Sequence, residues 1–237
     1  MKPFQSLTRF TEALADFIYP PACSTCWREL QRGEYYICHN CWNGFERVSP
    51  TETIIQTIEE KFLADGCIDR IDSVFLFEQD PRVRTAIHLL KYSGAERIAD
   101  RFGFFMAKEI VADEELSTSD MIVPVPLHPA RKRERGYNQS ELIAGKIGVE
   151  LRIRNEWHLL ERIRQTQTQT LFDAEGRKKN IAGAFSMGKH LKVAVKGKNI
   201  LLIDDVITTG STIRECARVL KENGAAKVYA ASAAITI

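Results

Sequence analysis

The chain of 237 residues has 44% hydrophobic and 27% charged residues, a composition typical of soluble globular proteins and unlike that of intrinsically disordered ones. Its formal net charge of +2 neither favours nor excludes a nucleic-acid partner. No apolar run is long enough to span a bilayer, and Glu12 and Asp16 interrupt what would be the apolar core of a signal peptide. A cytoplasmic protein with reduced cysteines is therefore expected.

Apolar periodicity and turn residues divide the chain into helices and strands. In chain order, the predicted elements are a helix at 4–18, a cysteine-bearing unit at 22–48, a short helix and connector at 50–72, a strand at 73–77, helices at 81–92 and 95–112, a strand at 121–126, a helix at 138–147, a strand at 156–160, a loop at 161–170, a strand at 199–206, a helix at 213–223 and a strand at 228–237. Strands that alternate with helices indicate parallel βαβ units and hence an α/β protein.

The cysteine-bearing unit contains two Cys-x-x-Cys knuckles separated by eleven residues, which are Cys23, Cys26, Cys38 and Cys41. Four thiolates in this spacing meet the tetrahedral demand of a structural zinc ion, and a unit this short could hardly build a core without metal. The alternative is a set of simple reduced cysteines. His39 is expected to be a bystander, and Cys67 and Cys216 to be small core residues.

A buried strand near the C-terminus runs into two carboxylates and then into a turn that opens a helix. The carboxylates and the turn are Asp204, Asp205, Thr208, Thr209, Gly210, Ser211 and Thr212. Turn amides, hydroxyls and a helix N-terminus together can hold a phosphate, and Gly210 permits a positive φ or a close backbone approach. Two carboxylates beside a phosphate suit a ligand that also offers hydroxyls or a divalent cation, as a ribose 5-phosphate does.

Other interpretations of this segment are open. The two carboxylates could be the acidic pair of a response regulator, although such pairs follow the first strand of a receiver domain and lack this turn. The turn could be only a capped helix start. It is not a P-loop, because the Gly-Lys-Ser/Thr ending is absent.

A basic stretch, 128–180, follows an acidic one, 51–127. The strand 121–126 leads into a predicted basic loop that carries Arg131, Arg133 and Arg135. Guanidinium groups suit phosphate oxygens bidentately, but a solvated basic surface is the alternative. Asn138 is the predicted N-cap of the next helix, with Glu141 completing a capping box.

These motifs, in this order, resemble the ComF family of competence-associated proteins. The matching pieces are the cysteine unit, 88–94, 123–139, Arg164-x-Thr166 with Gln169, Arg177 with Asn180, and 202–212. The resemblance implies a type I phosphoribosyltransferase fold, a parallel twisted sheet flanked by helices, with a small N-terminal zinc ribbon. It implies two domains, an N-terminal helix and ribbon at 1–50 and a phosphoribosyltransferase-like domain at 51–237.

The resemblance also implies a ligand, 5-phosphoribosyl-1-diphosphate (PRPP), with Mg²⁺. Asp204 and Asp205 would contact the ribose 2- and 3-hydroxyls, residues 208–212 would hold the 5-phosphate, and the three arginines would lie near the diphosphate. The run 161–170 corresponds to a mobile loop that closes over PRPP, although it could also be an exposed connector. Lys91 is either a phosphate or pocket contact or a helix C-terminal cation.

Two functions are consistent with this resemblance. The first is Mg²⁺-dependent phosphoribosyl transfer with release of diphosphate, with Asp204, Asp205 and Arg164 as catalytic residues. The second is a non-catalytic, PRPP-sensing module that binds single-stranded DNA, in which Tyr137 and the ribbon would add stacking. Single-stranded DNA and other competence proteins are the expected partners. A homodimer is compatible with the resemblance, because type I relatives are often dimers.

Overall fold

The computed structural model describes residues 20–48, 51–164, 181–188 and 195–237. The predicted helix at 4–18 lies outside these residues. The chain forms two compact units, Met1–Phe45 and Glu46–Ile237. The functional division at residue 50 stays a prediction.

The helices and strands of the described residues are numbered here in chain order. The helices are α1 His39–Asn43, α2 Glu52–Phe62, α3 Pro81–Tyr92, α4 Arg97–Ala112, α5 Pro129–Arg135, α6 Gln139–Leu151 and α7 Ser211–Glu222, with a 3-10 turn at Leu116–Thr118. The strands are β1 Arg70–Leu76, β2 Met121–Pro124, β3 Arg154–Asn155, β4 Leu160–Arg162, β5 Phe185–Met187, β6 Asn199–Ile207 and β7 Lys227–Ile235.

The second unit is built on a parallel sheet with the strand order β1-β7-β6-β2-β3. The register joins Met121 to Ile200 and Ile200 to Val228. The sheet is flanked by helices, which confirms the predicted α/β architecture. A separate antiparallel pair joins β4 to β5.

Alternate residues of the central strands pack on opposite faces of the sheet, because successive side chains of a strand point to opposite sides. Ile200 and Leu202 of β6 pack in the same core as Ile213 and Leu220 of α7, together with residues of β4 and β5. Helices α4 and α6 contact each other and the sheet strands as well. The carboxyl end of β6, between β7 and β2, is therefore held in position by long buried strands.

The predicted basic loop is wrong, because residues Pro129–Arg135 form the helix α5. Pro129 occupies the first turn, and the His128 Nδ1 atom accepts a hydrogen bond from the Ala130 N–H at 3.2 Å. The helix ends at Gly136, whose φ of +84° lies in the left-handed region. No residue of α5 is buried, so the apolar periodicity that marks most helices is absent from this segment.

The predicted strand 156–160 is also wrong in its bounds. The chain forms the two-residue strand β3, turns at 157–158, and enters β4 at Leu160. Because β4 runs to Arg162, the first two residues of the predicted loop 161–170 belong to a strand. The predicted cap of α6 is confirmed, because the Asn138 side chain accepts from the Ser140 N–H at 3.2 Å. The Glu141 carboxylate instead accepts from the Lys132 ammonium, at 2.8 and 3.0 Å.

None of the helices formed by the described residues combines the length and the apolar character that crossing a bilayer requires.

Candidate functional site

Asp204 and Asp205, the acid pair, lie in the second half of β6. The Asp204 Oδ1 atom accepts hydrogen bonds from the Ser140 hydroxyl at 3.0 Å and from the Asp205 N–H at 2.9 Å. Burial, and after it the neighbouring Asp205 charge, raise the pKa of Asp204 to about 7. A carboxylate whose ionisation is opposed in this way is stabilised by a nearby cation or by hydroxyl donors.

Lys91 lies at the acid pair. Its Nζ atom is 2.7 Å from the Asp205 Oδ2 atom, and its charge lowers the pKa of Asp204 against the effect of burial. It also belongs to the last turn of α3, where a cation is stabilised by the helix dipole. Lys91 is therefore a helix C-terminal cation that also pairs with Asp205, and its contact with a phosphate stays a prediction.

The turn 208–212 encloses a small cavity at the start of α7. The cavity has a volume of about 40 Å³ and is lined by the turn residues, by Asp204 and by Val206, Ile207 and Ile213. Helix α7 begins at Ser211, so its first N–H groups and its dipole face this region. The Thr209 and Ser211 hydroxyls lie 3.0 Å apart and supply further donors. Chemically, the turn is suited to hold an anion.

Gly210 has the positive φ that its sequence position predicted, +73°. A Cβ atom added there would lie 2.6 Å from Cδ1 of Phe62, a fully buried ring of α2. Only glycine fits this position without a shift of the ring. The contact between Phe62 and Gly210 is not predicted from the sequence, because no local signal connects α2 to a turn almost 150 residues away.

The three arginines of α5 do not point in one direction, since residues two apart lie on different sides of a helix. Arg135 donates to the Gln139 Oε1 atom at 3.0 Å and to the Tyr92 hydroxyl at 3.3 Å. Arg133 lines a separate cavity of about 870 Å³ beside β4. Arg131 lies near Arg162, whose pKa is lowered by burial and then by the Arg131 charge.

Arg164 and the segment after it are described only in part. The Arg164 guanidinium donates to the Ala182 carbonyl at 2.7 Å, and the Ile163 N–H donates to the Ala184 carbonyl at 2.9 Å. The predicted landmarks Thr166, Gln169, Arg177 and Asn180 lie outside the described residues. The catalytic assignment of Arg164 stays a prediction.

Glu215 is a further residue that sequence reasoning missed. This buried carboxylate of α7 accepts from the Gly183 N–H at 2.7 Å. A hydrogen bond from the Arg218 guanidinium holds the pKa of Glu215 below its usual range. Helix α7 thus carries the anion-binding turn at its start and fixes the 181–183 backbone one turn later.

The four cysteines of the first unit form a separate cluster. Their Sγ atoms all lie within 4.8 Å of one another, and the Cys23–Cys41 and Cys26–Cys38 pairs are both 3.8 Å apart. Four sulfur atoms bound to zinc at about 2.3 Å in a tetrahedron are about 3.8 Å apart. The cluster is therefore compatible with a structural zinc ion.

The buried Glu34 carboxylate lies between the two knuckles and forms a brace, a set of hydrogen bonds that connects the segments beside them. It accepts from the Arg28 guanidinium at 2.9 Å and from the backbone N–H groups of Gln31 and His39, each at 2.8 Å. His39 thus contributes its backbone to this brace and is not one of the clustered metal-ligating residues, as the sequence predicted.

Comparison with known proteins gives matches over most of the chain. A family model described as the phosphoribosyl transferase domain matches residues 100–234. The DNA utilization protein YhgH of Escherichia coli O6:H1 is 36% identical over 218 residues, covering 88% of this chain and 94% of that protein.

Two competence proteins match as well. Competence protein F of Haemophilus influenzae is 32% identical over 133 residues, covering 56% of this chain and 58% of that protein. Competence protein ComFC of Streptococcus pneumoniae is 25% identical over 213 residues, covering 84% and 87%. The range matched by the family model contains the acid pair and the turn 208–212.

Proposed function

The chain belongs to the phosphoribosyl transferase domain family, as a relative of YhgH and Competence protein F, and from this premise we propose that it binds PRPP with Mg²⁺ at the acid pair. The observation that carries the proposal is the direct succession, at the carboxyl end of one buried strand, of two carboxylates, a phosphate-sized turn and a helix N-terminus. A ribose 5-phosphate presents hydroxyls and an anion at this spacing.

In this proposal, each group of the ligand meets complementary chemistry. The ribose 2- and 3-hydroxyls donate to Asp204 and Asp205, and the 5-phosphate accepts from the amides and hydroxyls of 208–212. The diphosphate would extend toward α5, where Arg131 and Arg133 are the candidates to bind it. Arg135 is less suited, because Gln139 and Tyr92 engage its guanidinium.

The pair Asp204 and Asp205 also fits a divalent cation. Two adjacent carboxylates, one with a pKa of about 7 caused by burial and by its neighbour's charge, lose this mutual repulsion when a cation binds. When bound, Mg²⁺ would neutralise charge on the acid pair and on the diphosphate. Lys91, whose ammonium lies 2.7 Å from Asp205, is a further source of positive charge at the acid pair.

The reaction we propose is phosphoribosyl transfer. The bond from the ribose C1 atom to the diphosphate oxygen breaks, a bond from C1 to an acceptor nucleophile forms, and the acceptor loses a proton. The carboxylates would stabilise the positive charge that develops on the ribose in the transition state. The cations of α5 and Arg164 would stabilise the negative charge on the leaving diphosphate.

A second candidate is a PRPP-sensing module of DNA uptake without turnover. The names of these relatives, DNA utilization protein and competence protein, favour an association with DNA uptake, with single-stranded DNA and other competence proteins as partners. Release of diphosphate from PRPP with an acceptor or with water distinguishes the transferase from the module.

The site itself is tested by the double variant Asp204→Asn/Asp205→Asn. We expect PRPP binding in the presence of Mg²⁺ to be lost in titration calorimetry, because both the hydroxyl acceptors and the cation ligands disappear. The control is Glu150→Gln, an exposed carboxylate of α6 that pairs with Lys146. Unchanged affinity in the double variant would rule out this assignment.

A further inference from the structure

A further cavity is lined by residues of α2, β1 and α4. This α2 cavity has a volume of about 180 Å³. Its apolar lining residues are Val48, Ile54, Ile58, Leu63, Ile71 and Val74. An apolar cavity of about 150 Å³ can hold a benzene molecule, so the space suits a stem of about six carbon atoms. No residue of the acid pair or of the turn 208–212 lines it, so it is separate from the proposed PRPP site.

The apolar walls of the α2 cavity are incompletely covered. Val48, Ile58 and Leu63 pack against the core of the second unit but are themselves only partly buried. Contact with an apolar ligand would remove more of their surface from water, which is favourable. The walls therefore favour a ligand with an aliphatic body.

The polar groups in and beside the cavity leave one negative charge uncompensated. Arg47 pairs with Glu109 at 3.0 Å, and Arg70 pairs with Asp113 at 2.9 Å. Among the residues that the structure describes, no lysine or arginine forms an ion pair with the third carboxylate, Asp72, which lines the cavity. Three carboxylates therefore stand against two guanidinium groups.

The surroundings of Asp72 oppose its ionisation. Burial, and then the charges of Glu109 and Asp113, raise the pKa of Asp72 to about 6, although the Ser73 backbone N–H and the Arg70 charge lower it. The carboxylate is still ionised at neutral pH. Because a desolvated charge without an ion-pair partner is costly, a cation that enters the cavity is stabilised by Asp72.

From this geometry we propose that the α2 cavity binds a small primary aliphatic amine, with its ammonium group at Asp72 and its alkyl stem against the apolar walls. The uncompensated carboxylate requires a cation, and the walls require an apolar stem. The guanidinium groups of Arg47 and Arg70 are held by their own carboxylates, so the cavity does not favour an anionic group. This ligand differs in class from PRPP, and its binding does not depend on the proposed function.

The test is titration calorimetry at pH 7.5 with two probes of similar size, pentylamine and pentanol. We expect wild type to bind the amine on the order of tenfold more tightly than the alcohol, because only the amine forms a charge-assisted pair with Asp72. Asp72→Asn keeps the shape of the side chain and removes its charge, so the ratio of the two affinities should fall to about one. The control is Glu115→Gln, a carboxylate paired with Lys227 outside the cavity, which should keep the wild-type ratio.

The amine should also respond to pH. With a pKa of about 6, roughly nine in ten Asp72 carboxyls are protonated at pH 5, so the affinity of wild type for pentylamine should fall roughly tenfold between pH 7.5 and pH 5. The affinity for pentanol should not show this fall. Both probes are compared in the same variant, so a partial loss of folding does not mimic a change in their ratio.

Three outcomes would overturn the inference. The first is an equal affinity of wild type for amine and alcohol, or an unchanged ratio in Asp72→Asn. The second is unchanged amine binding in Ile58→Phe, a variant that narrows the cavity, because the amine would then bind elsewhere. The third is tighter binding of a blocked lysine, Nα-acetyl-lysine methylamide, than of pentylamine, which would replace the small amine by a lysine side chain of a protein.

Discussion

Asp204 and Asp205 are adjacent in sequence but have different surroundings. Asp205 faces the Lys91 ammonium at 2.7 Å, whereas Asp204 has the Ser140 hydroxyl and a backbone N–H as its partners. Hydrogen bonds compensate the burial of Asp204 only in part, so burial and the neighbouring charge raise its pKa to about 7. One member of the acid pair thus titrates near neutral pH.

The raised pKa has a consequence for stability. The ordinary value is 3.8, so between about pH 4 and pH 7 the folded chain binds a proton at Asp204 that the unfolded chain has released. The Asp204 carboxyl therefore lowers the free energy of unfolding most strongly above pH 7, and this loss disappears as the pH falls toward 4. We expect Asp204→Asn to raise the thermal unfolding midpoint at pH 8, with a gain that shrinks as the pH falls toward 4. A gain that is independent of pH would contradict the assigned pKa.

At the scale of elements, two helix boundaries depend on glycines with positive φ. Gly136 ends α5 with open space around it, whereas Gly210 precedes α7 and abuts the buried ring of Phe62. The first is required by backbone conformation alone and the second also by packing. The anion-binding turn is thereby fixed against α2 as well as by its own residues.

These two glycines form a matched pair of substitutions. We expect Gly136→Ala to cost about 1 kcal/mol of unfolding free energy, because alanine is strained at positive φ. Gly210→Ala should cost about 1–3 kcal/mol more, because the Phe62 ring must move, and should also weaken PRPP binding. Urea denaturation of both variants measures the difference. Equal losses would show that the Phe62 contact does not restrict this turn.

At the scale of the molecule, the two compact units have different sources of stability. The unit Glu46–Ile237 buries long apolar strands, whereas the described part of the first unit, residues 20–45, has a cluster of four cysteines and a few buried side chains such as Ile37 and Trp42. Small units of this kind gain much of their folding free energy from metal binding.

Metal analysis should find about one zinc per chain, because the four thiolates saturate a single tetrahedral ion. Removal of the metal by a chelator should shift the emission of the buried Trp42 toward that of an exposed tryptophan. Cys38→Ser should bind less zinc, whereas Cys67→Ser, outside the cluster, should bind as much as wild type. A fully folded, metal-free protein would contradict the zinc centre.

The sequence by itself determined the features that are encoded locally. The cysteine spacing, the strand–acid pair–turn–helix order, the Asn138 cap and the positive φ of Gly210 all depend on neighbouring residues, so they were predicted from short motifs. Helix α5 was missed because all of its residues are at least partly exposed and no apolar stripe marks it.

Only the tertiary structure decided which distant residues complete the site. Lys91 reaches Asp205, Ser140 reaches Asp204, and Phe62 supports Gly210 across separations of 64 to 148 positions. Arg135 likewise meets the Tyr92 ring only after folding. Apolar periodicity shows which face of an element is buried but not which element packs against it. These contacts are therefore decided only when the helices and strands assemble.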